Sequence, residues 1–156
     1  MATSAIPEVD RYAQDLRAFF DDRHGEELQE ELVRLQWVAY HLAQKEWAEA
    51  RELGWEGDED DGSEASKTHV AASIAATTAA KKEEARLQWV AHHLANHEWA
   101  EARELEWEGD EANPEELELA QMAAESATET AAALVDAEGD AMRELEHYLA
   151  TESAPA

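Results

Sequence analysis

Residues 34–60 read RLQWVAYHLAQKEWAEARELGWEGDED, and residues 86–112 read RLQWVAHHLANHEWAEARELEWEGDEA. At an offset of 52 residues, Trp37, Trp47 and Trp55 return as Trp89, Trp99 and Trp107. Five of the 27 aligned pairs differ: Tyr40/His92, Gln44/Asn96, Lys45/His97, Gly54/Glu106 and Asp60/Ala112. The flanks are unlike, with DLRAFFDDRHGEELQEE upstream of one copy and VAASIAATTAAKKEE upstream of the other. The duplicated unit therefore reads as a helix with its stop signal rather than a domain, and two copies are too few for a solenoid.

On an ideal helix at about 100° per residue, Leu35, Leu42 and Leu53 fall opposite Trp37. Ala39, Ala43, Ala50 and Trp47 fill the flank between them. Trp55, eighteen residues beyond Trp37, falls on the same line as Trp37 after five turns. Arg34, Lys45, Glu49, Glu52 and Glu56 make a narrow polar arc, and Glu46 intrudes among the leucines. A helix apolar around more than half its girth touches two neighbours. One side is expected in the core, and the Trp side is expected against another helix or a partner.

Punctuation sets the remaining boundaries. Pro7 suits a first helical turn, and Gly25 suits a left-handed stop after DDRH. Gly57 and Gly109 read as the stops of two longer helices, and Ser63 as the N-cap between them. Asn113, Pro114 and Glu116 read as N-cap, first position and closing residue of a capping box. The spacing predicts helices over 7–22, 26–56, 64–108 and 114–150, the last interrupted or kinked at Gly139. The fold class is all-α: an antiparallel bundle of about four helices in a single domain over 1–156, two of them carrying the Trp-rich repeat. The Ala- and Thr-rich runs AASIAATTAA and AQMAAESATETAAAL let helices approach closely but bury little area, which favours a homo-oligomeric contact.

With 38 acidic against 12 basic side chains, the formal net charge is −26. Such a surface repels nucleic acid and anionic lipid and favours basic partners. No Lys/Arg cluster exists for a phosphate backbone, so direct nucleic-acid binding is excluded. An excess of carboxylates with only four lysines is also the composition of proteins adapted to multimolar salt. The absence of cysteine removes disulfides, thiolate catalysis and Cys-type zinc sites. MATSAIPEVDRYAQ is not a signal peptide, and no apolar run is long enough for a bilayer, so a cytoplasmic protein away from membranes is expected.

Candidate chemistry is thin. His93 and His97, at i and i+4 with Glu101 one step further, have a spacing that lets imidazoles share an ion, but the first copy has His41 with Lys45. Glu144 and His147 have the Glu-x-x-His spacing of di-iron bundles, which need a second such motif, and there is none. No nucleophile elbow or phosphate loop is present. The expectation is no enzyme, no metal and no cofactor. The functional expectation is an interaction or assembly protein that binds a protein partner or itself, with Trp37, Trp55, Trp89, Trp107, Arg51 and Arg103 as contact residues. One alternative is a nucleic-acid mimic, although Arg34, Lys45, Lys81 and Arg86 interrupt its acidic rows. Another is a bundle holding a metal or aromatic cofactor through His41, His93 and His97.

Overall fold

Four backbone positions decide how this helical sequence is cut. The computed structural model describes residues 6–23 and 25–153, with side chains as far as Thr151. Among them every regular element is a helix: α1 (Pro7–Asp21), α2 (Gly25–Ala43), α3 (Trp47–Glu52), α4 (Glu64–Ala95), α5 (Trp99–Glu104) and α6 (Glu116–Ser153). Six helices thus stand where the spacing predicted about four. The helix over 26–56 is broken at Lys45, and the helix over 64–108 at His97. These residues adopt φ of 60° and 56°, the left-handed region that terminates helices.

Backbone hydrogen bonds explain how the breaks are tolerated. The Glu46 amide donates to His41 O at 2.8 Å and the Lys45 amide to Leu42 O at 3.1 Å, the paired closure of a Schellman motif. Glu98 and His97 repeat it on His93 and Leu94. A second closure follows one turn later, where Trp55 and Trp107 donate to Ala50 O and Ala102 O, both at 3.2 Å. Its left-handed residue is Gly54 (φ 91°) in one copy and Glu106 (φ 70°) in the other. A non-glycine residue there costs about 1–2 kcal/mol.

Pro7 occupies the first turn of α1, as the sequence indicates. Gly25 takes the expected left-handed φ of 50° but opens α2 rather than stopping α1, which ends at Asp21. α6 runs through Gly139 as unbroken helix. Two compact units divide the chain, one formed by residues up to Thr78 with those from Leu134 onward, the other by Ala79–Ala133. In the first, Val9, Ala13 and Phe20 of α1 are buried, as are Leu28 and Leu35 of α2, Val70, Ile74 and Ala75 of α4, and Met142 and Leu145 of α6. The small residues of AASIAATTAA are used inside this unit. Thr77 Oγ1 donates to Leu134 O at 3.2 Å, a contact that requires the α4 and α6 backbones to lie close together. By contrast, Leu119 and Met122 of α6, in the second unit, are exposed. No helix among the described residues is long and apolar enough to cross a membrane.

Two polar contacts tie α1 into the first unit. Arg17 donates to Glu138 Oε1 from Nη2 at 2.5 Å and from Nε at 3.2 Å, and Glu138 is only 6% exposed. Tyr12 Oη donates to Lys67 O at 3.1 Å. Burial, with the nearby Glu64 carboxylate, pushes the Tyr12 phenol up to about 12.

Arg17→Ala strands Glu138 as a buried charge and is expected to cost about 3 kcal/mol in urea unfolding, whereas the neutral Glu138→Gln costs less. The folded chain holds the Tyr12 proton more tightly than the unfolded chain. That contribution is therefore complete below pH 10 and is lost as pH rises through about 12. A phenolate absorbance titration is expected to show a late step near pH 12 that Tyr12→Phe removes.

Candidate functional site

The duplicated segment folds into a clasp: the end of a long helix, a six-residue helix, and a return to the start of the next long helix. In the first copy Val38, Leu42, Ala50 and Trp55 form the buried centre, with Trp47, Leu53 and Ala65 packed on it. Trp47 stacks on Trp55 at 5.9 Å and 25°, worth about 1 kcal/mol beyond the area it buries. The Arg51 guanidinium covers the outer Trp55 face, 4.6 Å from the ring centroid. Trp55 Nε1 donates to Glu64 Oε2 at 3.2 Å, so the indole is tied to the first residue of α4. Arg34 Nη1 donates to Leu53 O at 3.1 Å and its Nη2 to Glu31 Oε1 at 2.5 Å, which satisfies a carbonyl left open at the end of α3.

The second copy reproduces the indole stack, its arginine cover and the arginine bonds to a carbonyl and a glutamate. Trp99 stacks on Trp107 at 5.9 Å and 24°, under Arg103 at 4.7 Å. Arg86 Nη1 donates to Leu105 O at 2.8 Å and Nη2 to Glu83 Oε1 at 2.5 Å, and these hydrogen bonds hold Glu83 below the usual carboxylate range. Glu31 and Glu83 share the 52-residue offset, as do Glu64 and Glu116. Glu31 and Glu83 extend the repeat beyond the 27 aligned pairs, because each holds the equivalent arginine, whereas Glu64 accepts from Trp55 Nε1 and Glu116 from Asp110 N.

The helix starts differ from the sequence reading in an informative way. Ser63 stands at the N-cap position of α4, its carbonyl accepting from Lys67 N at 2.9 Å, but its side chain turns back rather than capping. Asp61 Oδ1 accepts from Ser63 Oγ at 2.6 Å and from Ser63 N at 2.9 Å, lowering the Asp61 pKa. Asn113 and Pro114, read as N-cap and first position, both precede α6, which begins at Glu116; Asn113 Oδ1 accepts from Glu115 N at 3.0 Å in the turn before it. Glu116 closes no box on Asn113, because its Oε1 accepts from Asp110 N at 3.1 Å. Gly57 and Gly109 do not stop helices, which end earlier at Glu52 and Glu104. They leave room for the indoles: a Cβ on Gly57 would lie 2.6 Å from Trp55 Nε1, and one on Gly109 2.6 Å from Trp107 Cε2.

Breaking the helix separates residues that one continuous helix would align. Trp55 is 8% exposed and Trp107 half-buried, both inside their clasps, whereas Trp37 and Trp89 are 54% and 56% exposed. Arg51 and Arg103 lie over the inner indoles and pair with Glu59 at 3.8 Å and Glu111 at 3.1 Å. Trp37 stacks on His41 at 6.0 Å and 27°, and Trp89 on His93 at 5.9 Å and 27°. Each of these imidazoles donates from Nδ1 to a carboxylate, His41 to Glu46 and His93 to Glu98, both at 3.0 Å. Glu46, which spoils the leucine stripe on a helical wheel, is thus the anchor of the histidine that carries Trp37. All ten residues at the five differing positions are exposed.

His97 turns away from the spacing-derived trio and lies against Trp99 at 5.4 Å. His92, His93 and Glu98 come together instead, with one ligand atom from each lying within 4.8 Å of the others. Residue spacing missed this group because Glu98 is brought back by the turn. Glu144 faces His69 at 3.7 Å, and His147 is exposed. No protein-family model, curated protein or solved structure matches the chain.

Gly57→Ala and Gly109→Ala are each expected to destabilise by about 1–3 kcal/mol through overpacking against the indole. Thermal unfolding followed by circular dichroism measures the loss, with a red shift in tryptophan emission as the clasp opens.

Proposed function

We propose that this chain is a non-enzymatic, acidic helical interaction protein that docks a protein partner through two exposed tryptophans, Trp37 and Trp89. The observation that carries this reading is their exposure, since the other four tryptophans of the repeat are committed to the clasps. Each exposed indole is held flat by a histidine that is itself held by a carboxylate. An aromatic anchor fixed in this way loses little conformational freedom on binding. On α2 the anchor belongs to an exposed apolar stripe of Val33, Trp37 and Tyr40. Tyr40 also lines a groove of about 390 Å³ with Ala39, Ala43, Ala65 and Ala72.

Trp55 and Trp107 support the faces from within, and the exposed Arg51 and Arg103 lie over these inner indoles. Two equivalent anchors on one chain raise apparent affinity where both engage. A second copy is one possible partner, but it brings another −26 of charge. Self-association therefore strengthens as salt screens the repulsion, whereas docking on a cationic partner weakens.

The mimicry reading gains from one observation. Arg34 and Arg86, which interrupt the acidic rows in sequence, are engaged by Glu31 and Glu83 and by backbone carbonyls. An inhibitor of a nucleic-acid-binding protein would release its partner at moderate salt and be indifferent to loss of the two indoles.

Trp37→Ala and Trp89→Ala are each expected to weaken partner capture or self-association by about 2 kcal/mol while leaving the melting temperature unchanged. Sedimentation along a salt series, with capture from host lysate, provides the measurement. Capture unaffected in the double variant removes the docking reading.

A further inference from the structure

The two clasps share a scaffold but not a donor set. Around the common histidine–glutamate pair, the first copy places Tyr40 and Lys45, and the second places His92 and His97. Two of the five differences between copies therefore put an imidazole at this one end of the clasp. Of these, His92 lies within reach: a ligand atom of His92, one of His93 and one of Glu98 are mutually within 4.8 Å. Tyr40, its counterpart, presents a phenol edge to Trp37 and gives the first copy no third donor.

From this grouping we propose that the second clasp binds one divalent transition-metal ion of the zinc class through His92, His93 and Glu98, and that the first clasp does not. Two neutral imidazoles and a carboxylate form a borderline nitrogen and oxygen set that suits such ions over magnesium or calcium. Ligand atoms around a tetrahedral ion with bonds of about 2.0–2.2 Å stand closer together than in the free site. His92 is exposed and closes the gap by rotating. Glu98 accepts from His93 Nδ1 at 3.0 Å in the free site. The ion displaces that proton into solvent and takes its place between the imidazole and the carboxylate, and water completes the coordination.

Trp89 reports on the site because it touches both imidazoles, stacked on His93 at 5.9 Å and edge-on to His92 at 5.4 Å. A bound ion would also give the two exposed tryptophans different electrostatic surroundings. That consequence rests on the docking reading, whereas ion binding does not.

The repeat supplies its own controls. Zn²⁺ is titrated calorimetrically into the full chain in excess Mg²⁺, which occupies the diffuse acidic surface. The expected result is one Zn²⁺ per chain. His92→Tyr, which installs the residue the first clasp already carries, is expected to weaken binding about 10-fold or more. Tyr40→His is expected to raise the stoichiometry to two per chain, with circular dichroism confirming unchanged helicity in both variants. In a parallel titration Ni²⁺ quenches tryptophan emission, and Trp89→Phe removes most of that quenching. No stoichiometric binding in Mg²⁺, or binding that His92→Tyr leaves unchanged, overturns the proposal.

Discussion

Stacking of Trp47 on Trp55, and of Trp99 on Trp107, allows the chain to leave one long helix and enter the next within about twenty residues. Reversing a helical chain exposes open carbonyls at each stop and leaves a gap where the next turn would have packed. The Schellman closures settle the carbonyls, and the paired indoles fill the gap. Gly57 and Gly109 admit the rings, and Arg51 and Arg103 cover them. In the first clasp the indole N–H fastens the stack to Glu64, at the beginning of α4.

The same joint is built twice between otherwise different helices. Its buried residues match at every aligned position, and all five differences lie on the surface. Lys45 and His97 illustrate the tolerance, since both occupy a left-handed site with side chains directed to solvent. Asp60 and Ala112 do so as well, because only their backbone amides are used, donating to Asp58 and Asp110 at 2.9 Å. The joint thus keeps its geometry while its outer face varies, and it is the outer face that carries the exposed aromatic and imidazole rings.

Much of the acidity acts locally. Glu31, Glu83, Glu46, Glu98, Glu64 and Asp61 each accept a hydrogen bond that orients an arginine, a histidine, an indole or a helix start. A count of −26 merges these carboxylates with the solvated ones. That is why charge alone pointed equally to a salty habitat and to a basic partner. Helix ends are less legible in the sequence than helices, for a related reason. Glycine is the usual stop signal, but here Lys45, His97 and Glu106 occupy left-handed stops as Gly54 does, and Gly57 and Gly109 serve as clearance for rings.

By itself the sequence determined that the chain is helical, that its Trp segment is duplicated, and that Pro7 opens α1. These follow from composition, identity and local backbone preference, which require no partner in space. Only the tertiary structure decided which tryptophans face inward. Trp37 and Trp55 share a line on one continuous helix, but the left-handed turns at Lys45 and Gly54 leave Trp37 on α2 and Trp55 in the loop beyond α3. The indole that meets a second indole and a glutamate is buried, and the one that meets only the rings of its own helix, His41 and Tyr40, stays in water.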